Sequence, residues 1–232
     1  MQSSAGPLTG IRVVELGNFI AGPFAGQLLG DWGADVIKVE SPGDGDPMRH
    51  WGVTTDEGDS LWWPTIARNK RSVTADMRTD EGRAFVRALL DSADIAIENF
   101  RPGRMDEWGL DYEALSASNP GLILVHVSGY GQTGPRASEA GFGSIGEAMG
   151  GVRYTTGDPD RPPARCGISL GDSLAAVHAV MGALAALHER HESGKGQEVD
   201  VAIYEAVASL MESTMADFTV GGVTRQLSLI HI

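Results

Sequence analysis

Short runs of β-branched and other apolar residues alternate along the chain with longer segments whose apolar residues recur at helical spacing. The longer segments cover 22–32, 79–90, 173–191 and 204–210. Regular alternation of this kind predicts an α/β fold with a doubly wound, mostly parallel, Rossmann-like sheet and helices on both faces. The predicted strands are 11–16, 35–39, 72–75, 94–97, 122–127 and 198–201.

The charge balance argues against one large class of function. The 232 residues carry 18 Lys and Arg against 31 Asp and Glu, a formal net charge of −13. Domains that bind nucleic acid usually show the opposite bias, so we expect no nucleic-acid partner. Cys166 is the single cysteine, which excludes an intrachain disulfide and agrees with a cytoplasmic location. We also expect no signal peptide and no apolar run long enough to cross a bilayer.

Ligands of open parallel sheets bind beyond the carboxyl ends of the strands, which directs attention to the segments after each strand. The turn at 17–23 is glycine-rich but lacks a dinucleotide or P-loop motif, so it is either a phosphate-binding turn or a plain strand-to-helix turn. The basic residues at 69–71 and Arg78 either lie in solvent or meet phosphates. The segment 129–171 is long for a connector, and such loops are often functional.

The residues after the fourth predicted strand allow two interpretations. Phe100 could stack on a purine while Arg101 or Arg104 lies near its phosphates. Alternatively, Phe100 is a core residue and Pro102 is the first residue of a helix.

Asp172 stands immediately before a long apolar helical pattern. Its local sequence predicts an ordinary N-cap. A carboxylate at that place would have its charged form stabilised by the helix dipole, would stay ionised at neutral pH, and could attack an acyl carbonyl.

The histidines do not form a metal-binding pattern, and no serine-hydrolase motif is present. We interpret His178 as packed or capping and the others, including His126, as surface residues. The sequence therefore predicts no metal site.

Several segments, in this order along the chain, together resemble the class III CoA-transferase family, which includes formyl-CoA transferase, carnitine CoA-transferase and α-methylacyl-CoA racemase. The resemblance extends from Leu8 to about Phe218. The segments that carry it are 21–23, 33–40, 69–72, 98–103, 109–112, 129–131, 134–135, 171–172 and 194–197.

The resemblance implies an activity and a set of site residues. Asp172 matches the family's catalytic aspartate, which forms a mixed anhydride and then a thioester with CoA. Acyl-CoA and a carboxylic acid would be substrates, with no permanently bound cofactor, and the parent protein would be an interlocked homodimer. The implied CoA contacts are Phe19, Ile20, Ala75, Met77, Arg78, Asn99, Phe100 and Arg101.

Some positions depart from the family pattern. Ser41 and Glu107 stand where formyl-CoA transferase has arginines, and Arg104 could replace the second of them. Phe142 stands where the racemases have a histidine base, which favours CoA transfer over acyl-CoA racemisation. CoA binding without turnover stays open as a further alternative. The stretch 143–148 resembles members that use succinyl-CoA with dicarboxylic acids.

We expect residues 1–226 to be the N-terminal portion of a large CoA-binding domain whose second, smaller domain is absent. On that view, this piece alone would be inactive. The last six residues match the translation of a common sequencing-adapter end, so we predict that 227–232 is a non-native tail.

Overall fold

The computed structural model describes residues 6–158 and 160–224, and within them a six-stranded parallel sheet forms the centre of the fold. The strand order is β3-β2-β1-β4-β5-β6, and every neighbouring pair is parallel. The predicted α/β class and sheet are confirmed. The strands are β1 (Arg12–Glu15), β2 (Asp35–Glu40), β3 (Lys70–Thr74), β4 (Ile95–Glu98), β5 (Ile123–Ser128) and β6 (Glu198–Ala202).

Helices connect these strands, and a short 3-10 helix, Pro47–His50, follows β2. The α-helices in the described residues are α1 (Ala21–Asp31), α2 (Trp63–Ile66), α3 (Asp80–Leu90), α4 (Arg104–Glu107), α5 (Tyr112–Ser118), α6 (Gly143–Met149), α7 (Leu170–Ser193), α8 (Ile203–Ala208) and α9 (Thr214–Thr219).

The two faces of the sheet bury separate apolar clusters, as a doubly wound fold requires. On one face, α1 and α7 cover side chains such as Val13 and Val125. On the other face, α3, α4 and α5 cover side chains such as Val14 and Leu124. Alternate residues of each strand therefore serve opposite cores. The buried face of α7 consists mainly of small residues, which allow close packing against the sheet: Ala175, Ala176, Ala179, Val180, Ala183 and Ala186.

The helix α7 is also long and apolar enough to cross a membrane by length and composition alone. The expectation that no such run exists was therefore wrong. Five alanines of this helix belong to the buried cluster against β5 and α1, whereas Val177 and Met181 are exposed. A core position therefore accounts for part of its apolar composition.

Two local predictions were also wrong in detail. The strand β3 begins at Lys70, two residues earlier than predicted, because the Lys70 ammonium is buried and pairs with Glu15 at 2.7 Å. The helix α4 begins at Arg104 after Gly103, whose φ of 85° suits glycine, so Pro102 is not its first residue. The predicted tail at 227–232 lies outside the described residues.

Candidate active site

A cavity of about 810 Å³ lies at the carboxyl ends of β1, β4 and β5. Its walls are the segments that follow these strands, together with the loops that precede α6 and α7. Between β1 and β4 the strand order reverses direction, and a doubly wound sheet leaves a crevice at such a point. The cavity therefore occupies the place where the topology predicts a ligand.

Two asparagines join the strand ends across this crevice. The Asn18 amide donates to Asn99 Oδ1 at 2.8 Å, and Asn99 Nδ2 donates to the Asn18 carbonyl at 2.8 Å. A Cβ on Gly17 would lie 2.9 Å from Asn99 Oδ1, so glycine is needed for this close approach. The next residue, Phe19, has a φ of 63°, which is uncommon for a residue with a side chain.

A buried ionic cluster supports the turn around Phe19. The Phe19 amide donates to Asp46 Oδ1 at 3.2 Å, while Lys38 Nζ lies 2.8 Å from Asp46 Oδ2 and 2.9 Å from Glu15 Oε1. Lys38 also donates to the Gly17 carbonyl at 2.7 Å. Burial lowers the pKa of Lys38, but Glu15 and Asp46 outweigh it and raise that pKa, so the ammonium stays charged.

Aromatic side chains form one wall of the cavity. Trp51 packs edge-on against Phe19, with ring centroids 5.3 Å apart, and Trp62 lies 6.3 Å from Trp51. All three rings are partly exposed and offer flat apolar surface to a ligand. The two tryptophans could not be predicted from the sequence, because their approach depends on how the 47–62 segment folds back against Phe19.

The carboxylate of Asp172 faces the same cavity. Asp172 is the third residue of α7 and not its N-cap, which is Ser169, so the N-cap prediction was wrong. A Cβ added at Gly143 would overlap Asp172 Oδ2, and the Gly143 carbonyl lies close above Gly171. The first residue of α6, Gly143, therefore packs tightly over the carboxylate.

The environment of Asp172 raises its pKa to about 6. Burial is the largest cause, the nearby Glu147 carboxylate adds to it, and Arg165 acts in the opposite direction. The expected stabilisation of the charged form by the helix N-terminus is therefore outweighed. At pH 7 a carboxyl group with this pKa is still roughly nine-tenths ionised, so it remains available as a nucleophile.

The cavity brings together one group of the predicted site residues and leaves another outside its lining. The residues that line it are Phe19, Ile20, Asn99, Phe100, Arg101 and Asp172. Phe100 also packs on the core and meets Trp108 edge-on at 5.1 Å, so it combines the two interpretations made from sequence.

The other predicted residues lie away from this cavity. Ala75 and Met77 belong to the apolar cluster under α3, and Arg78 is paired with Asp76 at 2.8 Å. Arg104 Nη1 pairs with Glu107 Oε2 at 2.5 Å and stands over Trp108, with its guanidinium carbon 5.7 Å from the ring centroid. Contacts of these four residues with CoA remain predictions.

The segment 69–71, with its two cations Lys70 and Arg71, does not line the cavity. Lys70 pairs with Glu15, Arg71 with Asp35 at 2.6 Å, and Asn69 Nδ2 donates to Asp31 at 2.6 Å. These residues lie at the amino end of β3, opposite the cavity. Their polar groups pair with acidic side chains of the same chain.

His126 was predicted at the surface but is buried in β5. Its Nδ1 lies 2.5 Å from Glu98 Oε1 and its Nε2 lies 3.3 Å from Glu198 Oε1. Glu98 Oε2 in turn accepts from the Phe100 amide at 2.6 Å. Burial lowers the pKa of His126, but the two glutamates outweigh it and raise that pKa. His126 and Glu98 therefore fix the backbone at Phe100, directly after β4.

Comparison with known proteins identifies the family of this chain. The family model for CoA-transferase family III matches residues 8–228. The chain belongs to CoA-transferase family III. It is 60% identical over 220 residues to succinyl-CoA–D-citramalate CoA-transferase of Chloroflexus aurantiacus, covering 95% of this chain and 55% of that protein. It is 46% identical over 222 residues to the alpha subunit of succinyl-CoA–L-malate CoA-transferase of the same species, covering 95% and 52%.

A solved structure supports the same family III assignment. The crystal structure of a CaiB/BaiF family protein from Brucella suis superposes with a TM-score of 0.90 at 41% identity, covering 96% of this chain and 60% of that one. The chain spans about half the length of the curated relatives it matches. The predicted resemblance to class III CoA-transferases is confirmed.

Proposed function

We propose that the complete protein carrying this chain is a CoA-transferase that moves CoA from succinyl-CoA to a dicarboxylic acid, with Asp172 as its nucleophile. The observation that carries the proposal is the half-buried Asp172 carboxylate, which faces a cavity at the reversal point of the sheet. The family assignment supports the reaction class, and the names of the two relatives from Chloroflexus support succinyl-CoA as the donor.

The reaction would proceed by acyl exchange on Asp172. Its carboxylate oxygen attacks the thioester carbonyl, the C–S bond breaks, and CoA leaves as a thiolate beside a mixed anhydride. The thiolate then attacks the aspartyl carbonyl and releases the donor acid as a carboxylate. The acceptor carboxylate attacks the resulting aspartyl thioester, which gives a second anhydride, and the thiolate finally attacks the acceptor carbonyl. Each step exchanges one bond for another, so the thioester is conserved.

Asn99 and the rings of Phe19 and Phe100 would bind the CoA portion at the crevice, with Arg101 as a nearby cation. The other arginine in the cavity lining, among the described residues, is Arg165 in the loop before α7. It is close enough to Asp172 to lower the pKa of that carboxyl. We therefore propose that Arg165 binds the second carboxylate of a dicarboxylic substrate. That carboxylate must remain ionised while the first one reacts.

Racemisation at the α-carbon is a weaker alternative, since it needs a base on each side of that carbon. Phe142, which stands in the racemase histidine position, lines the cavity and is 64% exposed, but it has no ionisable group. The cytoplasmic location and the interlocked homodimer stay predictions.

The substrate assignment is tested on the complete protein by measuring acyl-CoA products from succinyl-CoA with malate, citramalate or acetate as acceptor. We expect transfer to the dicarboxylic acids. Replacing Arg165 by Gln should raise their KM roughly 10- to 100-fold, the range for loss of one charged hydrogen bond, and change the rate with acetate much less. The matched control is Arg161→Gln, an exposed arginine of the same loop outside the cavity lining. Equal loss with mono- and dicarboxylic acids would contradict the role of Arg165. Absence of transfer to any acid would contradict the proposed function.

A further inference from the structure

A second carboxylate lies buried behind the nucleophile and has no part in the reaction described above. Glu147, in α6, has only 1% of its surface exposed. A buried ionisable group must be paired or hydrogen-bonded, so its partners indicate what it does.

Glu147 contacts the beginning of α7. Its Oε1 accepts from the Gly171 amide at 3.4 Å, and its Oε2 lies 3.2 Å from Arg153 Nη2. The N-cap of α7, Ser169, makes no capping bond with its own side chain. The glutamate of a neighbouring helix therefore supplies the acceptor that the helix N-terminus requires.

The position of Glu147 is well determined by packing. A Cβ added at Gly146 would lie 2.5 Å from Ile203 Cγ2, and one at Gly150 would lie 2.5 Å from Val207 Cβ. These close approaches hold α6 against α8. The Glu147 carboxylate is thereby kept beside the residue that precedes Asp172.

Resting on the proposed function, we propose that Glu147 is a positioning residue: it caps α7 from α6, and its negative charge favours the acylated forms of Asp172 over the free carboxylate. Free Asp172 is an anion beside another anion. In the anhydride and in the thioester Asp172 is neutral, because its charge has left with the CoA thiolate or with the released acid. Each acylation thus removes a like-charge repulsion that a poorly hydrated site strengthens.

Other charged groups modulate this repulsion. Arg153 neutralises part of the Glu147 charge through its contact with Oε2, and Arg165, which lines the cavity, attracts Asp172. Glu139 is a further acid in the cavity lining. The raised pKa of Asp172, for which burial is the first cause and Glu147 the next, agrees with a net repulsion.

The test compares Glu147→Gln with Glu147→Ala in the complete protein. Glutamine keeps the acceptor oxygen for Gly171 but removes the charge, whereas alanine removes both. With Glu147→Gln we expect the acidic limb of the kcat profile to move about one pH unit lower, and the fraction of Asp172 held as a covalent adduct with acyl-CoA to fall about tenfold. Alanine should add a loss of thermal stability from the missing cap.

Two further variants keep the outcome decisive. Arg153→Gln leaves Glu147 charged without its guanidinium partner, so we expect both readouts to move in the opposite direction. Glu189→Gln removes one acid from the exposed far end of α7 and should change neither. An unchanged pH limb and adduct fraction in both Glu147→Gln and Arg153→Gln would overturn the inference. That result is distinct from activity retained in Asp172→Ala, which would overturn the proposed function itself.

Discussion

Asn18 and Asn99 exchange two hydrogen bonds of 2.8 Å across the point where the strand order of the sheet reverses. The two residues are 81 positions apart in sequence, but they follow β1 and β4, which are adjacent in the sheet. Their bonds close the floor of the cavity and set the position of the flanking residues Phe19 and Phe100.

Replacing Asn99 by Ala should weaken the binding of acyl-CoA more than it slows the chemical step. The change removes a side chain that we propose binds CoA, and it frees the Asn18 turn that carries Phe19. A loss of about 1–3 kcal/mol of binding free energy would raise the KM for acyl-CoA roughly 5- to 150-fold. Steady-state kinetics of the complete protein measure this. Asn119→Ala is the control, since that side chain donates to the Leu90 and Ala93 carbonyls and does not line the cavity. A lower kcat with an unchanged KM would contradict this role.

A methyl group at Gly143 should block catalysis without unfolding the protein. It would overlap Asp172 Oδ2, so the carboxylate must turn away from the cavity. We expect Gly143→Ala to lower kcat about 100-fold or more, as misplacement of a reacting group by about 1 Å does. Gly121→Ala is the matched control, because its Cβ would meet the side chains of Arg190 and Asn119 at ordinary contact distances. Comparable activity of the two variants would show that Gly143 does not shape the site.

Most strands were predictable from local pattern alone, because they are short runs rich in β-branched and other apolar residues, and all of them lie close to their predicted positions. The start of β3 was not. A Lys-Arg pair reads as a solvated turn, and nothing local indicates that the Lys70 ammonium would find Glu15 in a distant strand. The error arose where long-range charge pairing overrides local composition.

Long-range contacts also explain which features of the site could not be predicted from the sequence. Asp172 resembles an N-cap because a small acid precedes an apolar helix, yet Glu147 of α6 supplies the cap and α7 begins earlier. Trp51 and Arg165 reach the cavity from loops whose paths depend on tertiary contacts. The residues of the strand-end turns, by contrast, follow from the parallel sheet once its topology is known.

Replacing Asp172 by Asn should stabilise the protein at neutral pH. The carboxyl pKa rises from 3.8 to about 6 on folding, so between these values the folded state holds a proton that the unfolded state has lost. The free energy of unfolding therefore falls by roughly 3 kcal/mol as pH rises through this window, and the penalty is fully present above it. Asparagine carries no such penalty.

Thermal unfolding of both proteins between pH 3.5 and 8 measures this difference. Asp172→Asn should melt higher at pH 7–8, and its advantage should vanish below about pH 4. Equal or lower stability of the variant at every pH would contradict the raised pKa.

The most direct measurement for the account as a whole is mass spectrometry of the complete protein incubated with succinyl-CoA. We expect a covalent adduct on the peptide containing Asp172, released by hydroxylamine with formation of an aspartyl hydroxamate at that residue, and no adduct in Asp172→Asn. Transfer of CoA by the wild-type protein without any adduct at Asp172, or full activity of Asp172→Ala, would contradict Asp172 as the nucleophile.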